Sequence, residues 1–160
     1  PSLSVLTINA LAAVDEVFIP LQPHFLALHG LSKLLETIEL VASRLNERLK
    51  LGGVILCMYE SGTRLAAEVS RDVESFFDAS QERETPWSNA RAYQTRIRRN
   101  IRLAEAPSFG QSILEYAPQS AGAADYRELA REFLAGIGAL PADENGQVPR
   151  RRELSAVGIK

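Results

Sequence analysis

Gly52-Gly53-Val54-Ile55-Leu56-Cys57-Met58-Tyr59 is the stretch that decides the fold. Six apolar residues follow a glycine pair without interruption. That is the habit of a strand buried on both faces, as strands of parallel sheets are. The glycine pair reads as a break ahead of it. Parallel strands need crossover helices, and helical patterns lie on both sides. Upstream, Leu31, Leu34, Leu35, Ile38, Val41, Ala42 and Leu45 recur at i, i+3, i+4 and i+7, with Glu36, Glu39, Arg44 and Glu47 mostly off that face. Before this helix, Val17-Phe18-Ile19 ends at Pro20 and reads as a short buried strand. Leu3, Leu6, Ala10 and Ala13 line a first short helix. Downstream, Leu65, Val69, Val73, Phe76 and Phe77 mark a third helix, and 79–89 reads as a polar loop holding Pro86 and Trp87. Residues 92–97 read as a further strand. Tyr126, Leu129, Ala130, Phe133, Leu134 and Ile137 form a last helix. Alternating strands and helices imply an α/β fold with a mainly parallel sheet.

Composition narrows the function classes. The chain has 160 residues, 46% hydrophobic and 24% charged, which suits one globular domain. Its net charge of -2 excludes a globally basic nucleic-acid binder and leaves room for a local basic patch. One cysteine, Cys57, excludes an internal disulfide, and with only His24 and His29 beside it no zinc site is expected. No apolar run approaches the ~18 residues that span a bilayer, and no secretory signal pattern opens the chain. The expectation is a cytoplasmic protein. The chain opens on Pro1, and about three strands are legible where a doubly wound sheet has five or more. Together these suggest the C-terminal part of a larger α/β domain.

Phosphate-binding signatures are tested by counting. No two glycines stand five apart ahead of a lysine, so no P-loop is present. Gly136 and Gly138 begin a dinucleotide fingerprint that Pro141 ends. His24 and His29, five residues apart, do not share a helical face and suggest no triad; Cys57 lies in an apolar strand, where a thiol is inert. No residue is assigned a catalytic or metal-binding role. The informative chemistry is basic. Arg91, Arg96, Arg98, Arg99 and Arg102 fall within twelve residues. Arginine suits forked contacts to phosphate, and such contacts read backbone rather than base. A solvated surface turn is the alternative reading of the same residues.

At this point the residues resemble a family. Pro1-Ser2-Leu3, Leu6-Thr7-Ile8-Asn9-Ala10-Leu11, Ile19-Pro20-Leu21-Gln22 and Met58-Tyr59-Glu60 resemble the ParA/Soj partition ATPases of the MinD-like P-loop group. Arg99-Asn100-Ile101-Arg102-Leu103-Ala104-Glu105-Ala106-Pro107-Ser108-Phe109-Gly110 is similar to that family's most distinctive C-terminal motif. The match runs over residues 1–138; 139–160, with Arg150-Arg151-Arg152, reads as a disordered basic tail. The chain departs from the pattern at Arg98, where proline is usual, at Gly62, at His29, and in a longer stretch between Phe77 and Thr95.

The resemblance implies part of a doubly wound P-loop NTPase fold lacking its N-terminal strands and P-loop. It implies ATP and Mg2+ as cofactors of the intact protein, neither held tightly by this chain alone. Met58, Tyr59, Arg98 and Arg99 would face the adenine side of the nucleotide. Arg64, Arg99 and Arg102 match positions that hold non-specific DNA. The implied partners are DNA, a centromere-binding ParB-like protein and a second copy in an ATP-dependent homodimer, with nucleoid association and no membrane. Two alternatives stand beside it. One is a nucleotide-independent DNA- or partner-binding module. The other is a MinD-like positioning regulator, which needs a C-terminal amphipathic helix that residues 149–160, poor in large apolar side chains, do not supply.

Overall fold

The computed structural model describes residues 4–139. The expected tail lies outside the described residues except for Ala139, as does the Leu3 end of the first helix. The chain divides into two compact units, one through Arg99 and one from Asn100 onward.

The first unit runs α1 (Val5–Ala13), β1 (Glu16–Leu21), α2 (Ala27–Arg44), β2 (Lys50–Tyr59), α3 (Arg64–Asp78), β3 (Arg91–Ala92) and β4 (Ile97–Arg98). β2 is the centre of the sheet and pairs in parallel with β1, β3 and β4. An α/β architecture with a parallel sheet is what the buried run and its flanking helices dictate. Leu31, Leu35, Ile38 and Val41 of α2 and Ala66, Val69, Val73 and Phe77 of α3 join Leu51, Val54 and Leu56 of β2 in one buried cluster. α3 starts where Thr63 Oγ1 accepts from the Ala66 backbone N–H at 3.4 Å, satisfying one otherwise orphaned helix donor. Trp87, in the loop after α3, packs half-buried against that cluster.

Two strand assignments need correction. Gly52 and Gly53 do not break the chain; they lie inside β2. They are there because neighbours approach too closely for a side chain. A Cβ at Gly53 would stand 2.5 Å from the Arg91 carbonyl oxygen, and one at Gly52 would stand 2.5 Å from the Phe18 ring. Residues 92–97 are not one strand. β3 leaves β2 after Ala92, and β4 rejoins it at Ile97. The Tyr93 backbone N–H still donates to Val54 O at 2.9 Å, and its buried ring stands edge-on to Phe18, with centroids 6.0 Å apart. Pro20 sits inside β1, exposed, where the missing N–H is tolerated in a strand that pairs on one side among the described residues.

The second unit contains α4 (Ile101–Glu105), a 3-10 helical turn (Ala106–Phe109), α5 (Ile113–Tyr116) and α6 (Ala121–Gly136). Its starts are capped: Asn100 Oδ1 accepts from Arg102 N, Ser112 and Glu115 form a capping box, and Ser120 Oγ accepts from Ala123 N. α6 begins five residues before the apolar periodicity, at the Ser120 cap, and its small first-turn residue Gly122 lets Leu103 approach. A Cβ at Gly122 would meet Leu103 Cγ at 2.7 Å.

Candidate functional site

The carboxyl end of β2 carries a bulge. Cys57 pairs with Ile97 and Tyr59 with Arg98, so Met58 is the extra residue between two paired neighbours. Its φ is +50°, the one positive value outside glycine among the described residues. A left-handed conformation costs a non-glycine residue about 1 kcal/mol or more and is kept where the surroundings over-determine it. The bulge leaves the Met58 side chain 51% exposed and Tyr59 only 9% exposed. Tyr59 is thus a core ring with a polar handle, whereas Met58 presents a soft apolar surface to solvent.

Arg98 and Arg99 close the same edge. The Arg99 backbone N–H donates to Tyr59 O at 3.2 Å. Its guanidinium donates from Nη1 to Glu60 Oε1 at 2.8 Å, with both side chains largely exposed. Arg98 ends β4 on the exposed side. Met58, Tyr59, Arg98 and Arg99 are therefore brought together at the end of the central strand. Arg64, the first residue of α3, is exposed and pairs through Nε with Glu68 Oε1 at 2.8 Å. Arg102 belongs to the second unit. There it donates to Glu105 Oε2 at 2.9 Å, and Tyr116 Oη donates to the same oxygen at 3.1 Å. Glu105, and after it Tyr116, push the Arg102 pKa further up, so the guanidinium stays charged.

Other candidates resolve differently. The Cys57 thiol is half-buried and donates to Ile55 O at 3.4 Å; burial pushes its pKa up, against a lowering backbone contact at Leu21, which keeps it protonated and unreactive. His24 Nδ1 accepts from Leu26 N at 3.2 Å near the start of α2. Among the described residues no three His, Cys, Asp or Glu converge to hold a metal ion, and no helix is long and apolar enough to cross a membrane. Sequence reasoning missed the carboxylates that answer the arginines, Glu60, Glu68 and Glu105. Glu68 and Glu105 stand four and three residues from their partners, a spacing that signals helical pairing. Glu60 and Arg99 are distant in sequence and carry no such signal. It counted Arg96 in the basic cluster and missed that this arginine turns inward.

The exposed guanidiniums are donors suited to anionic oxygens, and Met58 is an exposed apolar surface beside them. This donor set does not fit a magnesium ion. A family model described as an AAA domain matches residues 1–51. The chromosome-partitioning ATPase Soj of Treponema pallidum is 45% identical over 138 residues, 86% of this chain and 50% of that protein. The chromosome partitioning protein ParA of Caulobacter vibrioides is 44% identical over 135 residues, 84% of this chain and 46% of its own length. The sporulation initiation inhibitor protein Soj of Bacillus subtilis is also 44% identical, over 84% of this chain and 49% of that protein. Among solved structures, cobyrinic acid a,c-diamide synthase from Mycobacterium smegmatis with bound ATP analog and magnesium aligns with a TM-score of 0.61 at 29% identity, covering 94% of this chain and 49% of that one. The chain thus spans about half the length of the curated relatives it matches. Parallel sheet, strand-end motif and sequence likeness together make this chain a member of the ParA/Soj-like family of partition ATPases, of the P-loop NTPase fold.

Proposed function

We propose that this chain supplies the adenine side of the nucleotide site and a DNA-backbone contact surface of a ParA-type partition ATPase. The observation that carries the reading is the meeting of Met58, held outward by its bulge, with the Arg98–Arg99 turn at the carboxyl end of β2. Ligands of open parallel sheets bind beyond that end. Met58 packs against the base, while the backbone of the turn borders it. ATP supplies, when bound, the bridge between two subunits and the bond whose hydrolysis separates them. The residues here bind and orient; hydrolysis is not assigned to this chain, whose glycines do not space as a P-loop.

Arg64 and Arg99 in the first unit and Arg102 in the second donate to DNA phosphates without reading sequence. Each is paired with an exposed or half-exposed carboxylate at 2.8–2.9 Å, a contact weak enough to exchange for phosphate. In the intact protein a nucleotide-linked homodimer joins two such surfaces, a gain in avidity that needs no new contact. A ParB-like centromere-binding protein drives release, in the cytoplasm at the nucleoid.

The test is fluorescence anisotropy with mixed-sequence duplex DNA over a salt series. Binding should weaken steeply with salt, and Arg99→Ala should reduce the slope by about one phosphate contact. Binding that ignores both Arg99→Ala and Arg64→Ala would overturn the DNA assignment. Adding ATP or ADP to the same titration of the intact protein, where the phosphate-binding part is expected, separates the two readings of the site. A Met58→Asp change that weakens nucleotide binding supports the adenine-side assignment. DNA binding with no nucleotide response favours the nucleotide-independent module.

A further inference from the structure

Five arginines crowd residues 91–102, and one of them behaves unlike a surface residue. Arg96 turns inward, its side chain one-third exposed. Its Nη2 donates to Ser70 Oγ at 2.7 Å and to Glu74 Oε1 at 3.4 Å; its Nη1 donates to Tyr59 Oη at 3.2 Å. The guanidinium carbon also lies 4.8 Å from the centroid of the Tyr59 ring. One group therefore grips α3 and the end of β2 from the segment between β3 and β4.

The arrangement is not the cheapest way to fill this space. Arg96 Nε is buried with no hydrogen-bond partner, and an orphaned charged donor is destabilising. An apolar chain of similar length would avoid that defect. What an apolar chain lacks is direction: a planar fork fixes the angle between the groups it holds. The next residues show what that angle serves. Ile97 pairs with Cys57, Arg98 pairs with Tyr59, and the Arg99 N–H donates to Tyr59 O. Tyr59 is thus held through its backbone by the Arg98–Arg99 turn and through its ring by Arg96, with Met58 bulged immediately before it.

We propose that Arg96 is a positioning residue, a clamp on Tyr59 and α3 that fixes the Met58 bulge and the Arg98–Arg99 turn in the geometry through which they meet ligand. The clamp itself stands on the contacts above. Its consequence for DNA rests on the reading under Proposed function.

The experiment compares the full chain with Arg96→Met, Arg96→Lys and, as a control for plain destabilisation, Leu49→Ala. Leu49 is 1% exposed and stands just before the opposite end of β2. Amide hydrogen exchange is read across 57–59 and 95–99, and duplex DNA affinity by anisotropy. In Arg96→Met the Arg99 amide should exchange about tenfold faster and DNA affinity should fall about three- to tenfold. Arg96→Lys keeps the charge but not the fork, and should recover less than half of either change. Leu49→Ala should lower stability without a selective rise at Arg99. Unchanged exchange at Arg99 in Arg96→Met, or an equal selective rise in Leu49→Ala, would overturn the clamp. Faster exchange with unaltered DNA affinity would overturn its link to phosphate contact. A wild-type chain that binds no DNA sinks the reading under Proposed function, and the exchange result still decides the clamp. If Arg96→Met does not fold, Ser70→Ala removes the 2.7 Å partner and should shift exchange the same way, to a smaller extent.

Discussion

Arg99 donates to Glu60 across 2.8 Å while its own backbone N–H is fixed to Tyr59 O, so the guanidinium is tethered at one end and occupied at the other. Both side chains are more than half exposed, at 69% and 52%. A phosphate that takes the Nη1 donor of Arg99 competes with Glu60 for it. The displacement costs little, because exposed ion pairs contribute at most about 1 kcal/mol.

Glu60→Gln should therefore tighten DNA binding, by about two- to fourfold at low salt and less at high salt. Anisotropy titration of the full chain checks it. The direction matters more than the size, because a gain in affinity cannot come from unfolding. An unchanged or weakened affinity would mean that Arg99 does not meet phosphate.

Backbone strain at Met58 predicts an ordering of variants. Met58→Val places a β-branched side chain at φ +50° and should lose about 1–2 kcal/mol of stability. Met58→Gly relieves the strain but adds freedom to the unfolded chain, so it should fall within about 1 kcal/mol of wild type. Urea midpoints for the three proteins test the order.

Two glycines should respond in opposite directions to alanine. Gly53→Ala would press a methyl to within 2.5 Å of the Arg91 carbonyl oxygen and should destabilise by about 2 kcal/mol or more. Gly30 lies inside α2 with nothing within 4 Å of an added Cβ. Gly30→Ala should stabilise by about 0.5–1 kcal/mol. Denaturant melts of both variants give the comparison.

The α5 capping box makes a pH prediction. Ser112 donates from its hydroxyl and backbone to Glu115 Oε2, at 2.9 and 3.1 Å, and holds the carboxyl below its usual pKa. A pKa lowered by folding stabilises above the unfolded value and is lost as pH falls through the folded one. α5 should therefore loosen on the acid side only. Carboxyl chemical-shift titration should show Glu115 moving back up toward the ordinary range in Ser112→Ala.

Much of this was legible in the sequence where burial is periodic. The α2 residues Leu31, Leu35, Ile38 and Val41 and the apolar run of β2 repeat with the periods their structures impose, and they fall where those periods put them. Composition misleads where close approach decides instead. Gly52 and Gly53 are usual chain breakers, yet here they let Phe18 and Arg91 come near a continuous strand. The arginine cluster fails for another reason. Arg91, Arg96 and Arg98 are chemically identical, and what singles out Arg96 is Ser70 and Glu74, on a helix 26 and 22 residues away. Local pattern carries no information at that range. Met58 and Tyr59 could be placed at a strand end but not told apart, because their exposures are set by one backbone angle.

A strand counts in twos, and the extra residue at Met58 changes the parity of β2 at its last step. Delete Met58 and the strand runs on without a bulge: the tyrosine keeps its pairing with Arg98 and its inward ring, and what is lost is the outward methionine. A relative one residue shorter at this point would present a different surface at its strand end from an almost identical sequence. Comparison of such ends has to be anchored on the bulge rather than on the run of apolar residues that leads to it.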